Sequence, residues 1–166
     1  MLAKQYYTPL PYPSYHMTTI RLFNQAECGH ADWQAFLVSY IPLFKKLFNY
    51  LQENQFCLQI TLKEVSISET FHLRVSISPN QDELITKMAE QFDLISNIHR
   101  PFHITFGYLY KDIPIVHKQN LLQEISENLN KLFIHSGKIF TLNSPSLCIY
   151  KDMTNFIGWN GESYPF

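Results

Sequence analysis

Apolar residues recur along this chain with two different periods, and the switches between them divide it into elements. From Tyr15 to Phe23 the period is two, with His16, Thr18 and Ile20 on one side and Met17, Thr19 and Arg21 on the other, which predicts a strand. Asn24 to Ala31 is a polar, glycine-containing loop. Between Asp32 and Asn54 the spacing becomes helical through Phe36, Tyr40, Phe44, Leu47 and Leu51, and Pro42 predicts a short first segment followed by a helix starting near the proline. Leu58, Ile60 and Leu62 alternate within Phe56 to Ser68, giving one or two strands, and Phe71 to Ser78 gives another, closed by a turn at Pro79 and Asn80. Leu84, Ile85, Met88, Phe92 and Ile95 predict a helix over 81–95 with Asn80 as its N-cap. A strand over 102–110, a turn at 112–114 and a helix over 116–134 follow. Phe140 with Leu142, and Leu147 with Ile149, predict two short strands before an irregular aromatic C-terminus.

Strands and helices are thus mixed without strict βα alternation, so an α+β fold is expected rather than a doubly wound parallel sheet. Pro9, Pro11 and Pro13 alternate, which disfavours helix and predicts an extended arm over 1–13 leading into the first strand. With no linker or low-complexity stretch, 1–166 reads as a single domain.

Composition sharpens this picture in a few places. The 166 residues are 46% hydrophobic and 16% charged, with 13 Phe and 10 Tyr, enough to bury a core without staples. The net charge of −1 argues against a general nucleic-acid coat protein, which carries a basic excess, but leaves room for one phosphate-bearing ligand in a local cleft. Cys28, Cys57 and Cys148 are odd in number and widely spaced, as expected of free thiols in a reducing compartment. The N-terminus has no apolar core of a signal peptide, and no apolar run approaches a membrane span. A soluble, cytoplasmic monomer is expected, with unconventional export left open.

Two short stretches carry the chemistry. Tyr15-His16-Met17-Thr18 and Phe102-His103-Ile104-Thr105 are both His-x-Thr among apolar residues, 87 positions apart. In a strand, residues i and i+2 share a face, so each motif offers an imidazole beside a hydroxyl. Metal-free phosphodiester cleavage needs a base for the nucleophile and an acid for the leaving oxygen, and histidine, with an ordinary pKa of ~6.5, serves as either. In-line displacement sets these groups on opposite sides of phosphorus, as two half-structures could do, while Thr18 and Thr105 would donate to the non-bridging oxygens. Phe71-His72-Leu73-Arg74 begins like the second motif but has Arg74 in the hydroxyl position. His72 precedes His103 by only 31 residues, too few to build two lobes, so it reads as a strand surface residue, and Arg74 reads first as a solvated strand-face arginine and second as a phosphate contact. His16 and His103 could ligate zinc with His30, His72 or His99, but no His-x-His, His-Glu-x-x-His or Asp-rich cluster completes such a site, and no metal or cofactor is expected.

The stretches 13–18 and 100–108, together with Pro145-Ser146-Leu147-Cys148-Ile149-Tyr150-Lys151-Asp152-Met153, resemble the 2H phosphoesterase superfamily over residues 10–157, and more closely a branch of it with a matching C-terminal signature. The resemblance implies a bilobal α+β fold, with two antiparallel sheets flanking a central groove and helices outside. It also implies cleavage or ligation of a phosphoester, as in RNA 2',3'-cyclic phosphodiesterases, 2'-5' oligoadenylate-cutting enzymes and phage proteins that destroy cyclic nucleotide signals. Residue by residue, His16, Thr18, His103 and Thr105 match the family's motifs. Around them Tyr15, Tyr108, Tyr110 and Tyr150 are candidates for stacking a base, and Arg100 and Lys151 for binding phosphate; Tyr108 needs a bulge to reach the His103 face. A small nucleotide or RNA-end phosphoester is the expected partner. The competing readings are a nucleotide or RNA-end binding module without turnover, and a partner-directed interaction protein suggested by the tyrosines alone.

Overall fold

The computed structural model describes residues 2–28, 32–133 and 137–162. Strands β1 (Tyr7–Pro9), β2 (Gln59–Ile67), β3 (Thr70–Ser76), β4 (His103–Leu109) and β5 (Ile139–Thr141) form one antiparallel sheet in the order β1-β4-β3-β2-β5. A hairpin of β6 (Cys148–Tyr150) and β7 (Phe156–Gly158) forms a second, two-stranded sheet. The helices are α1 (Trp33–Glu53), α2 (Pro79–Gln91) and α3 (Ile115–Phe133). The expected α+β class with antiparallel sheets is therefore what the chain adopts.

One face of the five-stranded sheet is apolar because alternate positions of β2 and β3 are apolar. Ile60, Leu62, Leu73 and Val75 are buried there with Ile85 of α2, and Ile67 with Leu121 and Ile125 of α3. Ile85 and Leu121 have no exposed surface, so truncating either to alanine should cost about 2–5 kcal/mol. Leu47 of α1 packs on Ala89 of α2 and on Leu94 just beyond it. The opposite face keeps the polar partners of the same alternation: Thr70, His72 and Arg74 on β3, His103 and Thr105 on β4.

Five elements depart from the sequence pattern. Helix α1 runs unbroken through Pro42, N-capped by Asp32, whose carboxylate accepts from the Gln34 and Ala35 amides. A ladder of rings, Phe36 on Tyr40 and Tyr40 on Phe44, crosses the proline, and this packing outweighs the one lost backbone bond. Helix α2 starts earlier than expected, with Pro79 at N1 and a capping box between Ser78 and Gln81, so the cap is Ser78 and not Asn80. The stretch 15–23 is no continuous strand: it makes isolated antiparallel bridges, Met17 to Ile104 and Ile20 to Ile98, and both Met17 and Ile20 pack on the core. Residues three apart share a face only where the alternation breaks. The first thirteen residues are no free arm either, since β1 pairs with the edge of β4 between short 3-10 turns at Leu2–Gln5 and Tyr12–Ser14, with Tyr6 and Tyr7 buried. Pro9 sits where an edge strand tolerates it. Strand β7 lies in the segment expected to be irregular.

The β1–β4 approach also explains Gly107. A Cβ at this position would stand 2.7 Å from the Thr8 carbonyl oxygen, so any side chain there would push the edge strand away.

Candidate functional site

The Met17–Ile104 bridge decides how the two His-x-Thr motifs meet. Met17 and Ile104 both turn to the core, so the residues on either side of each turn to the opposite face. In this antiparallel register His16 lies across from Thr105, and Thr18 across from His103. The two motifs thus interlock on adjoining segments of one sheet. His16 and His103 are diagonal cross-strand neighbours on one face, a relation whose backbone positions stand about 7–8 Å apart.

Both imidazoles are tethered in the same way. Nδ1–H of His16 donates to the Ser14 carbonyl at 2.7 Å, and Nδ1–H of His103 donates to the Pro101 carbonyl at 3.0 Å. A carbonyl can only accept, so each bond holds the proton on Nδ1 and leaves Nε2 as the atom that can take or give a proton elsewhere. In both motifs the tether is the carbonyl two residues upstream. Thr105 is buried, and among the described residues its hydroxyl has no hydrogen-bond partner. A buried hydroxyl without a partner costs on the order of 1–3 kcal/mol, which a ligand atom could recover.

The pairing of β3 with β4 adds what the spacing of the histidines concealed. His72 lies across from Thr105 and Arg74 across from His103, so the face carries two rows: His16, Thr105, His72 and Thr18, His103, Arg74. The His72 and His103 rings are 4.8 Å apart, and the His99 and His103 rings 5.1 Å. The short sequence separation of His72 from His103 does not keep the two apart, because an antiparallel neighbour needs no second lobe to come alongside. The signal that could have found it was there: two successive strands opening with Phe-His. His72 shares a 2.8 Å hydrogen bond between Nδ1 and the Thr70 hydroxyl, and Arg74 pairs with Glu64 across an exposed 2.9 Å ion pair. Burial, then the neighbouring His103 and Arg74, pushes the His72 pKa down; burial, then His103 and Arg21, does the same to His99.

A bulge settles where Tyr108 points. The β3–β4 register passes from His72–Thr105 to Phe71–Gly107, leaving Phe106 as the extra residue on β4. The alternation therefore flips, and Tyr108, across from Thr70, joins the face of His72 and His103. Burial raises its pKa, with a smaller contribution from the nearby Tyr150 phenol. The β6–β7 hairpin borders the same face: Phe156 lies against His16 at 3.8 Å between ring centres, and Tyr150 against Phe156 at 5.0 Å. Nothing in the sequence pattern pointed to Phe156.

The other candidates are placed elsewhere. Tyr15, next to His16 and so on the opposite face, packs edge-on to Phe106 and lines an apolar cavity of about 250 Å³ with Phe71 and Leu129. The Arg100 guanidinium is engaged by Asp82 at 2.6 Å and by the Thr86 hydroxyl at 3.2 Å, and it lies over the Phe102 ring. Tyr110 is exposed, its hydroxyl donating to the Lys4 carbonyl. Lys151 is exposed beside Tyr150 at the rim of a second cavity, of about 500 Å³, between the hairpin and α1. Among the described residues no group of three or more His, Cys, Asp or Glu is placed to hold a metal ion, and no helix is long and apolar enough to cross a membrane. His30 lies outside the described residues.

No protein-family model matches the chain, and no solved structure does. Among curated proteins it is similar to an uncharacterized protein, 127L, of Invertebrate iridescent virus 6, with 26% identity across 92% of this chain and 74% of the viral protein.

Proposed function

We propose that this chain is a metal-independent phosphodiesterase of the 2H type, hydrolysing a 2',3'-cyclic, 2'-5' or related nucleotide or RNA phosphoester by paired-histidine acid–base catalysis. The observation that carries the reading is the matched tether: two imidazoles on one face, each with Nδ1–H bound to the carbonyl two residues before it, each with Nε2 left for chemistry. A phosphoryl group between them receives water activated by one Nε2, while the other, protonated, donates its proton to the departing ribose oxygen. The water's proton ends on the first imidazole, so the pair exchanges roles and resets through solvent. Thr105 and Thr18 donate to the non-bridging oxygens, where charge accumulates as the nucleophile enters. Arg74, in the row of His103, is the nearest cation on the neighbouring strand to add to that stabilisation. The two lobes implied by the family resemblance correspond in this reading to the five-stranded sheet with α2 and α3, and to the hairpin with α1.

The test is turnover of 2',3'-cyclic mononucleotides, 2'-5' oligoadenylate, 3'-5' cyclic dinucleotides and cyclic ADP-ribose phosphate by the wild type and by His103→Ala, in EDTA. Cleavage of one class, insensitive to EDTA and abolished in the variant, is expected. Folded wild-type protein that binds nucleotides but turns over none of the panel, with binding that survives His16→Ala and His103→Ala, would replace the enzyme with a binding module.

A further inference from the structure

The cavity between α1 and the β6–β7 hairpin differs in chemistry from the one beneath Tyr15. That one is walled almost wholly by apolar groups. This one, of about 500 Å³, combines aromatic rings with carboxamides: Trp33, Phe44 and Trp159 stand among the former, Asn24, Gln25 and Gln34 among the latter. Its volume lies within the range of about 300–1,000 Å³ usual for small-molecule sites. Its composition, flat π surfaces plus groups that both donate and accept, is what a planar heteroaromatic ring with a hydrogen-bonding edge requires. Among the described residues the Gln25 and Gln34 side chains have no hydrogen-bond partner.

The cavity lies beside the motif face, with Tyr150 and Phe156 between them. Tyr150 lines it, the Tyr150 ring touches Phe156, and the Phe156 ring touches His16. Two ring contacts thus separate the His16 imidazole from the cavity wall, the reach of one nucleoside. Lys151 stands at the same rim with a positive charge for a phosphate or ribose oxygen between the two.

We infer that this cavity is the nucleobase site: a base of the substrate stacks among Trp33, Phe44 and Trp159, with Gln25 and Gln34 on its edge, while its phosphoester reaches the histidines past Tyr150. The inference rests on the phosphodiesterase reading for its phosphate end and on the cavity alone for its base end. Its consequence is selectivity for a nucleotide over a bare sugar phosphate, set by residues far from the His-x-Thr motifs.

The protein's two tryptophans are Trp33 and Trp159, and both line this cavity, so intrinsic fluorescence reports on it directly. The probes are adenosine, guanosine, cytidine and uridine, which carry no phosphate, and ribose 5-phosphate, which carries no base. At least one nucleoside is expected to quench saturably and ribose 5-phosphate is not. Trp33→Ala should weaken nucleoside binding by about 5- to 150-fold, the range of one lost base–aromatic stack. Gln34→Ala, at an exposed helical position that leaves the fold intact, should weaken it less and reorder preference among the four bases. For a cleaved 2',3'-cyclic nucleotide, both variants should raise KM with kcat little changed.

Turnover of nucleotides with KM unmoved by either variant would overturn the base site while leaving the phosphodiesterase reading in place. Saturable nucleoside quenching weakened in Gln34→Ala, which keeps both tryptophans, in a protein that cleaves no nucleotide, would uphold the base site and overturn the reaction. Absence of both quenching and turnover would overturn the two together.

Discussion

The two His-x-Thr motifs carry the same Nδ1–carbonyl bond but are held by different means. His103 and Thr105 belong to a strand paired along its whole length with β3 and at its far end with β1, so the sheet itself fixes their orientation. His16 and Thr18 lie in a segment attached by single bridges at Met17 and Ile20, and its imidazole is steadied by the Ser14 carbonyl and the Phe156 ring. One motif is therefore positioned by backbone ladders and the other by side-chain contacts. Replacing a contact residue should disturb the His16 half while leaving the His103 half in register.

The largest expected effects remove the imidazoles. His16→Ala or His103→Ala should each lower kcat by about 10²- to 10⁴-fold with folding retained, measured by single-turnover cleavage alongside circular dichroism. Equal losses would mean that the sparser backbone pairing of the His16 segment costs nothing in the reacting complex. Next come the hydroxyls. Thr105→Val, at a buried position, should cost about 10- to 150-fold in kcat/KM, the worth of a hydrogen bond to a charged oxygen; Thr18→Val, partly exposed, should fall at the low end because water can replace it. Reversal of that order would contradict the difference in burial between the halves.

Phe156→Ala tests the asymmetry itself. Losing one ring contact should lower kcat by about 2- to 10-fold, and the loss should vanish when measured in a His16→Ala background, because Phe156 acts through that imidazole. Persistence of the full effect in that background would show that the hairpin acts elsewhere.

The smallest effect is on stability. The folded-state pKa values of His72 and His99 are held below the ordinary histidine value, so between those depressed values and ~6.5 the unfolded chain binds protons that the native one refuses. Stability should be greatest above ~6.5 and fall as pH is lowered through the folded-state values. The urea midpoint should therefore drop between pH 7.5 and 5, and His72→Gln with His99→Gln should flatten that slope. An unchanged slope in the double variant would assign the pH dependence to other groups.

How much of this was legible in the sequence follows from the range over which each signal acts. Period-two and helical patterns located β2, β3, β4 and α3 because local alternation reflects which face meets the core. Pro42 misled because a breaker's local cost is overridden by the ring ladder along α1, which only the folded helix reveals. The four motif residues were readable as pairs, and Tyr108 was readable with its condition attached, a bulge that the register supplies at Phe106. His72 and Arg74 could be named but not placed beside His103, since strand pairing is non-local, and Phe156 was not singled out because hairpin docking is non-local too. Tyr15 could have been set aside from the sequence: adjacent residues in extended chain face opposite ways, so Tyr15 and His16 do not share a face.

The most direct measurement compares two imidazoles that lie on either side of Thr105. His16→Ala and His72→Ala, assayed in parallel on the cleaved nucleotide, ask which histidine works opposite His103. The interlocked register and the matched Nδ1 tethers predict a loss of about 10²- to 10⁴-fold for His16→Ala and less than about 10-fold for His72→Ala. A His16→Ala protein that keeps full activity while His72→Ala is inactive would contradict the pairing and move the reaction to the β3–β4 side of the sheet.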